Sequence, residues 1–193
     1  MMKTRILTRV LIIHPGATDF DDQGRIKGSL DMPLSQVGED QVKALSADLA
    51  AVELKTIYAA PCESAKQTAE QLAVGRDAKV KVIESFQNID QGLWHGKLIG
   101  EFKRNHPRVY RTGVESPNEL TPPEGEAFRD VESRVSKSLK KCVRKSNGGV
   151  VAIIVPDPLA TVMRSLLTGS DFRDLWKSQT DDGQWSMIES DRY

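Results

Sequence analysis

Apolar residues recur along this chain in two rhythms. Short runs rich in β-branched residues predict buried strands, and longer stretches with apolar residues every three or four positions predict helices. Ile6 to Ile13 is the first strand-like run; it stops at Pro15-Gly16 and so feeds a loop. Leu54 to Ala59, halted by Pro61, and Val80 to Glu84 read as two more strands. Val150 to Val155 is the most apolar run of all and reads as the central strand of a parallel sheet, while Trp185 to Ile188 reads as a last edge strand. Helical spacing marks Gly38 to Leu49 through Val42, Leu45 and Leu49, then Ser64 to Leu72, and then Pro158 to Leu167, which opens on a helix-compatible proline. The clearest helix is Glu126 to Lys145, with Phe128, Val131, Val135, Leu139, Cys142 and Val143 on one stripe and Gly148-Gly149 as its stop. Asn105 to Pro123 is polar, carries several prolines and reads as loop.

Strands that alternate with helices predict an α/β fold, a mostly parallel sheet covered by helices, in three layers α/β/α. No repeat, low-complexity tract or linker divides the chain, so residues 1–193 read as a single domain. Such sheets bind ligands beyond the carboxyl ends of their strands. The loops after Ile13, Ala59 and Val155 then surround one pocket, which brings His14, the Pro61–Ser64 turn and the Pro156–Pro158 turn together.

Composition narrows the partners. The 27 basic and 27 acidic residues cancel, which gives no electrostatic case for nucleic acid or an anionic membrane as a partner. The basic run Lys137, Lys140, Lys141, Arg144 and Lys145 reads as the solvated face of the long helix. Met1 to Arg5 is basic, but Arg9 interrupts the apolar run behind it, so neither a signal-peptide core nor a membrane span is predicted. With only Cys62 and Cys142, far apart in sequence, a reduced cytoplasmic setting is the simpler expectation. The three histidines, His14, His95 and His106, lack metal-ligand spacing, so no metal and no cofactor is expected.

The segment Leu11-Ile12-Ile13-His14-Pro15-Gly16-Ala17-Thr18, followed by Gly24-Arg25-Ile26-Lys27-Gly28, carries a resemblance. So do Asp31-Met32-Pro33-Leu34-Ser35 with Gly38, Ile57-Tyr58-Ala59-Ala60-Pro61 with Ala65-Lys66-Gln67-Thr68-Ala69, Gly92-Leu93-Trp94-His95-Gly96, and Pro122-Pro123-Glu124-Gly125-Glu126. In this order and spacing they resemble the histidine phosphatase (phosphoglycerate mutase-like) superfamily, which writes Leu-Val-Arg-His-Gly-Glu-Thr and Gly-Arg-Ile-Gln-Gly at the first two. The resemblance implies a phosphoglycerate mutase-like fold and extends from about Arg9 to Ser190.

It also implies a catalytic set that this chain departs from at every position. Family members hold a phosphoryl group with two histidines and two arginines, and an acidic residue gives the proton. Aligned without a gap, His14 takes the first arginine position and Pro15 the position of the histidine nucleophile. Ser64 takes the second arginine position, Asn88 the acid, and Pro156 or a neighbour the second histidine. No histidine follows His106, so no shift of register restores that last one. A proline has no lone pair with which to attack phosphorus. Losing two arginines removes roughly 3–6 kcal/mol of charged hydrogen bonding to phosphate, and losing the general acid costs about another 10²–10⁴-fold. Because cations and the acid go together, the sequence predicts a more neutral cleft.

The expected function is therefore that of a catalytically degenerate member, a pseudoenzyme that binds a small-molecule or phosphate-containing ligand, or a protein partner, through the former phosphate cleft. His14, Thr18, Arg25, Ser64 and Asn88 are the candidate ligand-binding residues. Against this stand an altered phosphomonoesterase or phosphomutase, with His14, Cys62 or Asp157 as the working group, and a pure interaction scaffold. The resemblance also allows a homodimer. Each residue has a plainer role to weigh: His14 filling the arginine's space with a hydrogen bond to backbone, Thr18 and Arg25 fixing their loop, Ser64 capping a helix. Cys62 reads as a small structural cysteine, Trp94 and Trp185 as packing residues, and His95 and His106 as surface residues.

Overall fold

The computed structural model describes residues 8–146, 149–172, 174–176 and 182–190. The short apolar runs become strands β1 (Thr8–Ile13), β2 (Thr56–Ala59), β3 (Lys79–Val82), β4 (Val150–Ile154) and β5 (Trp185–Ser190). They form one sheet in the order β3-β2-β4-β1-β5. All neighbours are parallel except β5, which runs antiparallel to β1. β4 is the middle strand, as its apolar run predicts, and Val151 to Ile154 are all buried. In register, Ile154 stands beside both Ile13 and Ala59. The three central strands therefore end level, and the loops that follow them open side by side.

The helices are α1 (Asp19–Asp22), α2 (Gln36–Asp48), α3 (Glu63–Ala73), α4 (Ile99–Asn105), α5 (Pro107–Glu115), α6 (Phe128–Arg144) and α7 (Leu159–Thr168). α2 packs with α3, and α6 packs with α7. The path β1-β2-β3 moves toward one edge of the sheet and β3-β4-β5 moves back, so right-handed crossovers place the two helix pairs on opposite faces. This makes the three layers. The predicted stripe of α6 is wholly buried, and Lys137, Lys140, Lys141, Arg144 and Lys145 are exposed. Among the described residues no helix is long and apolar enough to cross a membrane. Cys62 and Cys142 are both buried and both free.

Some expectations are corrected. The stretch from Asn105 to Pro123 is not loop throughout: it holds α5 and a 3₁₀ turn, Pro117–Glu119. Pro107 and Pro117 occupy first-turn positions, where the missing N–H has no helical partner to lose. Strands β2 and β3 are shorter than their apolar runs, and Trp185 is 38% exposed rather than packed. The calls on Ile6, Leu7 and Gly148 lie outside the described residues.

Two motif glycines have a packing reason. Gly16 and Gly38 bring the loop after β1 against the first turn of α2. A Cβ on Gly16 would stand 2.4 Å from the Gly38 carbonyl oxygen, and one on Gly38 would stand 2.0 Å from that of Ala17. Ser35 caps α2 by accepting the Gly38 N–H at 3.1 Å. The loop is thereby fixed against α2 at the carboxyl end of the sheet.

Candidate functional site

β1 and β4 end level and deliver one side chain each to the space beyond the sheet. His14 follows β1, and its Nδ1 lies 2.6 Å from Oδ2 of Asp157, which follows β4. Both groups are almost wholly buried, at 3% and 5% exposure. The other Asp157 oxygen accepts from the Thr161 hydroxyl of α7 at 3.0 Å. The Nδ1 side of the His14 ring is thus held by a carboxylate. Pro156 is buried and its carbonyl accepts the Ala160 N–H, so the side chain that this turn brings to His14 is that of Asp157.

Asn88, at the acid position, is 2% exposed. Its amide donates to the Gly28 carbonyl at 2.9 Å and to the Asp157 carbonyl at 2.8 Å. Its Oδ1 is buried without a hydrogen-bond partner among the described residues. Ser64 is 1% exposed and lies in the first turn of α3. It does not cap the helix, because Cys62 holds the cap position. Its Oγ lies 3.7 Å from the Cys62 sulfur. Burial pushes the Cys62 thiol up from its ordinary range, against the pull of nearby Lys27, which suits a structural cysteine and not a nucleophile.

Thr18 and Arg25 both serve their loops. The Thr18 N–H and hydroxyl donate to Asp21 Oδ2 at 2.8 and 2.7 Å. Arg25 donates to the Gly96 carbonyl at 2.7 Å and to the Gln23 side chain at 2.8 Å, tying the 24–28 loop to the 96–99 segment. His95 is not a surface residue. At 19% side-chain exposure it accepts the Gln91 N–H through Nε2 and packs over Gly28. Burial lowers its imidazole below the usual range.

The space beyond β1 and β4 also holds charged side chains. Lys27 Nζ lies 2.5 Å from Asp21 Oδ2, with both side chains nearly buried. Asp182, in the turn before β5, has its carboxyl pushed up to about 7. Burial is the first cause, then repulsion from Asp21 and Asp157, opposed by Lys27 and His14. Among the described residues, Asp21, Asp157 and Asp182 therefore share Lys27 and the His14 ring. Reading the sequence missed Lys27, Asp21 and Asp182. The one available signal was Lys27, which stands where the resembling motif has glutamine.

Backbone donors along the loop are used as well. The N–H of His14 goes to the Gln184 carbonyl at 2.8 Å. That of Gly16 goes to the Thr68 hydroxyl at 3.3 Å, that of Ala17 to the Gln41 side chain at 2.8 Å, and that of Thr18 to Asp21. Residue 15 is proline and has none. An incoming phosphate oxygen would meet no uncommitted backbone donor between residues 14 and 18. Among the described residues no group of three or more histidine, cysteine, aspartate or glutamate side chains is arranged to hold a metal ion.

Comparison with known proteins agrees with this frame. The sequence profile of the histidine phosphatase superfamily (branch 1) matches residues 10–193. Phosphoserine phosphatase 1 of Hydrogenobacter thermophilus is 27% identical over 183 residues, covering 94% of this chain and 86% of that protein. The adenosylcobalamin/alpha-ribazole phosphatase of Escherichia coli is 20% identical, covering 94% and 89%. Among solved structures, Bacillus stearothermophilus YhfR superposes with a TM-score of 0.80 at 26% identity, covering 94% of this chain and 91% of that one. Mycobacterial glucosyl-3-phosphoglycerate phosphatase, solved with VO3, superposes at 0.79 and 20% identity, covering 93% and 91%, and supports the fold alone.

Proposed function

The chain belongs to the histidine phosphatase superfamily, and we propose that it has given up that family's phosphohistidine chemistry and acts by binding. One observation carries the proposal. At the position of the nucleophile stands Pro15, and every N–H of the surrounding loop is already donated inside the protein. Phosphoryl transfer needs positioned cations and donors aimed at the developing charge. Here the first arginine position holds an imidazole tied to Asp157, the second holds a buried serine, and the lysine present is committed to Asp21. A phosphate dianion entering this space would meet, among the described residues, the carboxylates of Asp21 and Asp157, with the Lys27 ammonium and the His14 ring already held by them. What the site takes instead is a small molecule or protein segment that satisfies acceptors; the Oδ1 of Asn88 is one that is buried without a partner.

A second reading has an observation of its own. Asp157 holds His14 through Nδ1, which is how a carboxylate orients an imidazole for attack or proton transfer through its other nitrogen. The names of the relatives point to phosphate monoesters as the substrates to try. Purified protein is incubated with p-nitrophenyl phosphate and with O-phosphoserine, and melting is followed with and without orthovanadate. No release of phosphate above buffer and no shift in Tm is expected. Turnover that disappears in His14→Ala would overturn the proposal in favour of the second reading.

A further inference from the structure

The two edges of the sheet are built differently. β3 closes one side with four residues, Lys79–Val82, and β5 closes the other with six, Trp185–Ser190. An edge strand carries a row of unpaired backbone donors and acceptors, and short length and lysines are the usual guards against its pairing with another chain. β3 has both guards, with Lys79 and Lys81 exposed. β5 has neither lysine nor proline, and its one charged residue is Glu189. Trp185 and Met187, at 38% and 39% exposure, share a face with Glu189, while Ile188 on the opposite face is buried.

The ladder fixes which backbone groups of β5 point outward. The His14 N–H donates to the Gln184 carbonyl, and the Ile13 carbonyl accepts from Val155 on the β4 side. Bonding in an antiparallel pair alternates residue by residue, so Ile12 and Val10 bond Ser186 and Ile188, their register partners. Trp185, Met187 and Glu189 therefore turn their N–H and C=O groups away from β1. About Met187 this edge matches itself. A second copy laid antiparallel sets Met187 against its own counterpart and each Trp185 against the other copy's Glu189, and all three pairs can exchange hydrogen bonds. No like charges meet, because Glu189 faces an indole. The same operation fails at β3. Lys79 and Ile83 bond the β2 side, so Val80 and Val82 face outward, and pairing them sets Lys81 against Lys81 at the close, non-hydrogen-bonded spacing.

We propose that β5 is a self-association edge, at which a second copy of this chain adds antiparallel and joins the two five-stranded sheets into one. The two-fold axis runs normal to the sheet through the Met187 pair. The operation keeps each side chain on its own face, so Trp185 and Met187 of both copies form one apolar row and leave water together. The contact is isologous: the same patch serves both subunits. A ladder this short falls among the smallest protein–protein contacts, below about 1,200 Å² in total, so the dimer forms and dissociates with concentration. The inference goes beyond the loss of phosphoryl transfer, because it concerns an edge of the sheet and holds whether or not the cleft turns over an ester.

Sedimentation velocity of the full chain, from low to high micromolar concentration, tests it. The wild type is expected to pass from monomer to dimer as concentration rises. Met187→Lys sets two ammonium groups at the axis and is expected to stay monomeric throughout, with an unchanged Tm because the side chain it replaces is exposed. Met187→Cys reports the register. Hydrogen-bonded partners across an antiparallel pair lie about 5.5 Å apart at Cα, within disulfide reach, so copper-phenanthroline oxidation yields a dimer cross-linked at position 187. Lys81→Cys, on the other edge, yields none, and the native Cys62 and Cys142 are buried. A wild type that is monomeric at every concentration, a dimer that persists in Met187→Lys, or a cross-link at position 81 and not at 187 would overturn the proposal.

Discussion

The two ends of the central sheet differ in a way their shared backbone does not explain. At the carboxyl end, where β1, β2 and β4 finish level, His14, Lys27, Ser64, Asn88 and Asp157 are packed into hydrogen bonds and ion pairs with little solvent contact. At the amino end, where the same strands begin, a cleft of about 780 Å³ stands open, lined by Arg9, Lys55, Tyr58, Cys142, Lys145 and Met187 among others. At the open end, among the described residues, Glu53 lies 3.3 Å from the exposed Lys55. Burial pushes the Cys142 thiol up to about 11 even with Lys145, Lys141 and Lys81 nearby. A parallel sheet offers its functional loops at the carboxyl end. In this chain that end is packed with its own ion pairs and hydrogen bonds.

The comparison predicts unequal responses to substitution. The largest is expected for Lys27→Met, which leaves Asp21 buried without its cation. Breaking such a pair from one side costs about 3–5 kcal/mol, read as a fall in stability by urea unfolding. Gly38→Ala comes next. The added methyl meets the Ala17 carbonyl at 2.0 Å, and overpacking of this kind costs about 1–3 kcal/mol, visible as a lowered Tm. Asp182→Asn goes the other way. The folded chain holds the Asp182 proton to about pH 7 and the unfolded chain loses it near 3.8. Wild-type stability therefore falls through that window as pH rises and is flat above it. The asparagine variant lacks this slope and at pH 8 melts higher than the wild type, a gain on the order of 1 kcal/mol. The smallest effect is expected at the open end, where Lys145→Ala stays within about 0.5 kcal/mol of the wild type. A Lys145→Ala loss as large as that of Lys27→Met would erase the contrast between the two ends.

How much of this was legible in the sequence depends on the range of the interaction. The strands were legible because both faces of a parallel sheet are buried, so Val150 to Ile154 reads as one apolar run. The long helix was legible because its stripe is local. Helix α5 was not, since Pro107 and Pro117 looked like breakers and are in fact first-turn residues. The positions at which the resemblance puts its catalytic groups were legible because each sits at a fixed offset from a motif glycine or proline. The replacement network was not. Asp21, Lys27, Asp157 and Asp182 come from separate segments, and nothing local to Asp182 says that it lies beside the other three. The expectation of a more neutral cleft rested on the family positions alone and did not include these ion pairs.

Phosphorylation of the protein itself tests the central claim most directly. The full chain is incubated with a phosphoryl donor, acid-labile phosphate is preserved at alkaline pH, and the protein is mapped by mass spectrometry. The account predicts unmodified peptide across residues 8–25. Phosphate on His14, lost in His14→Ala and dependent on Asp157, would contradict it.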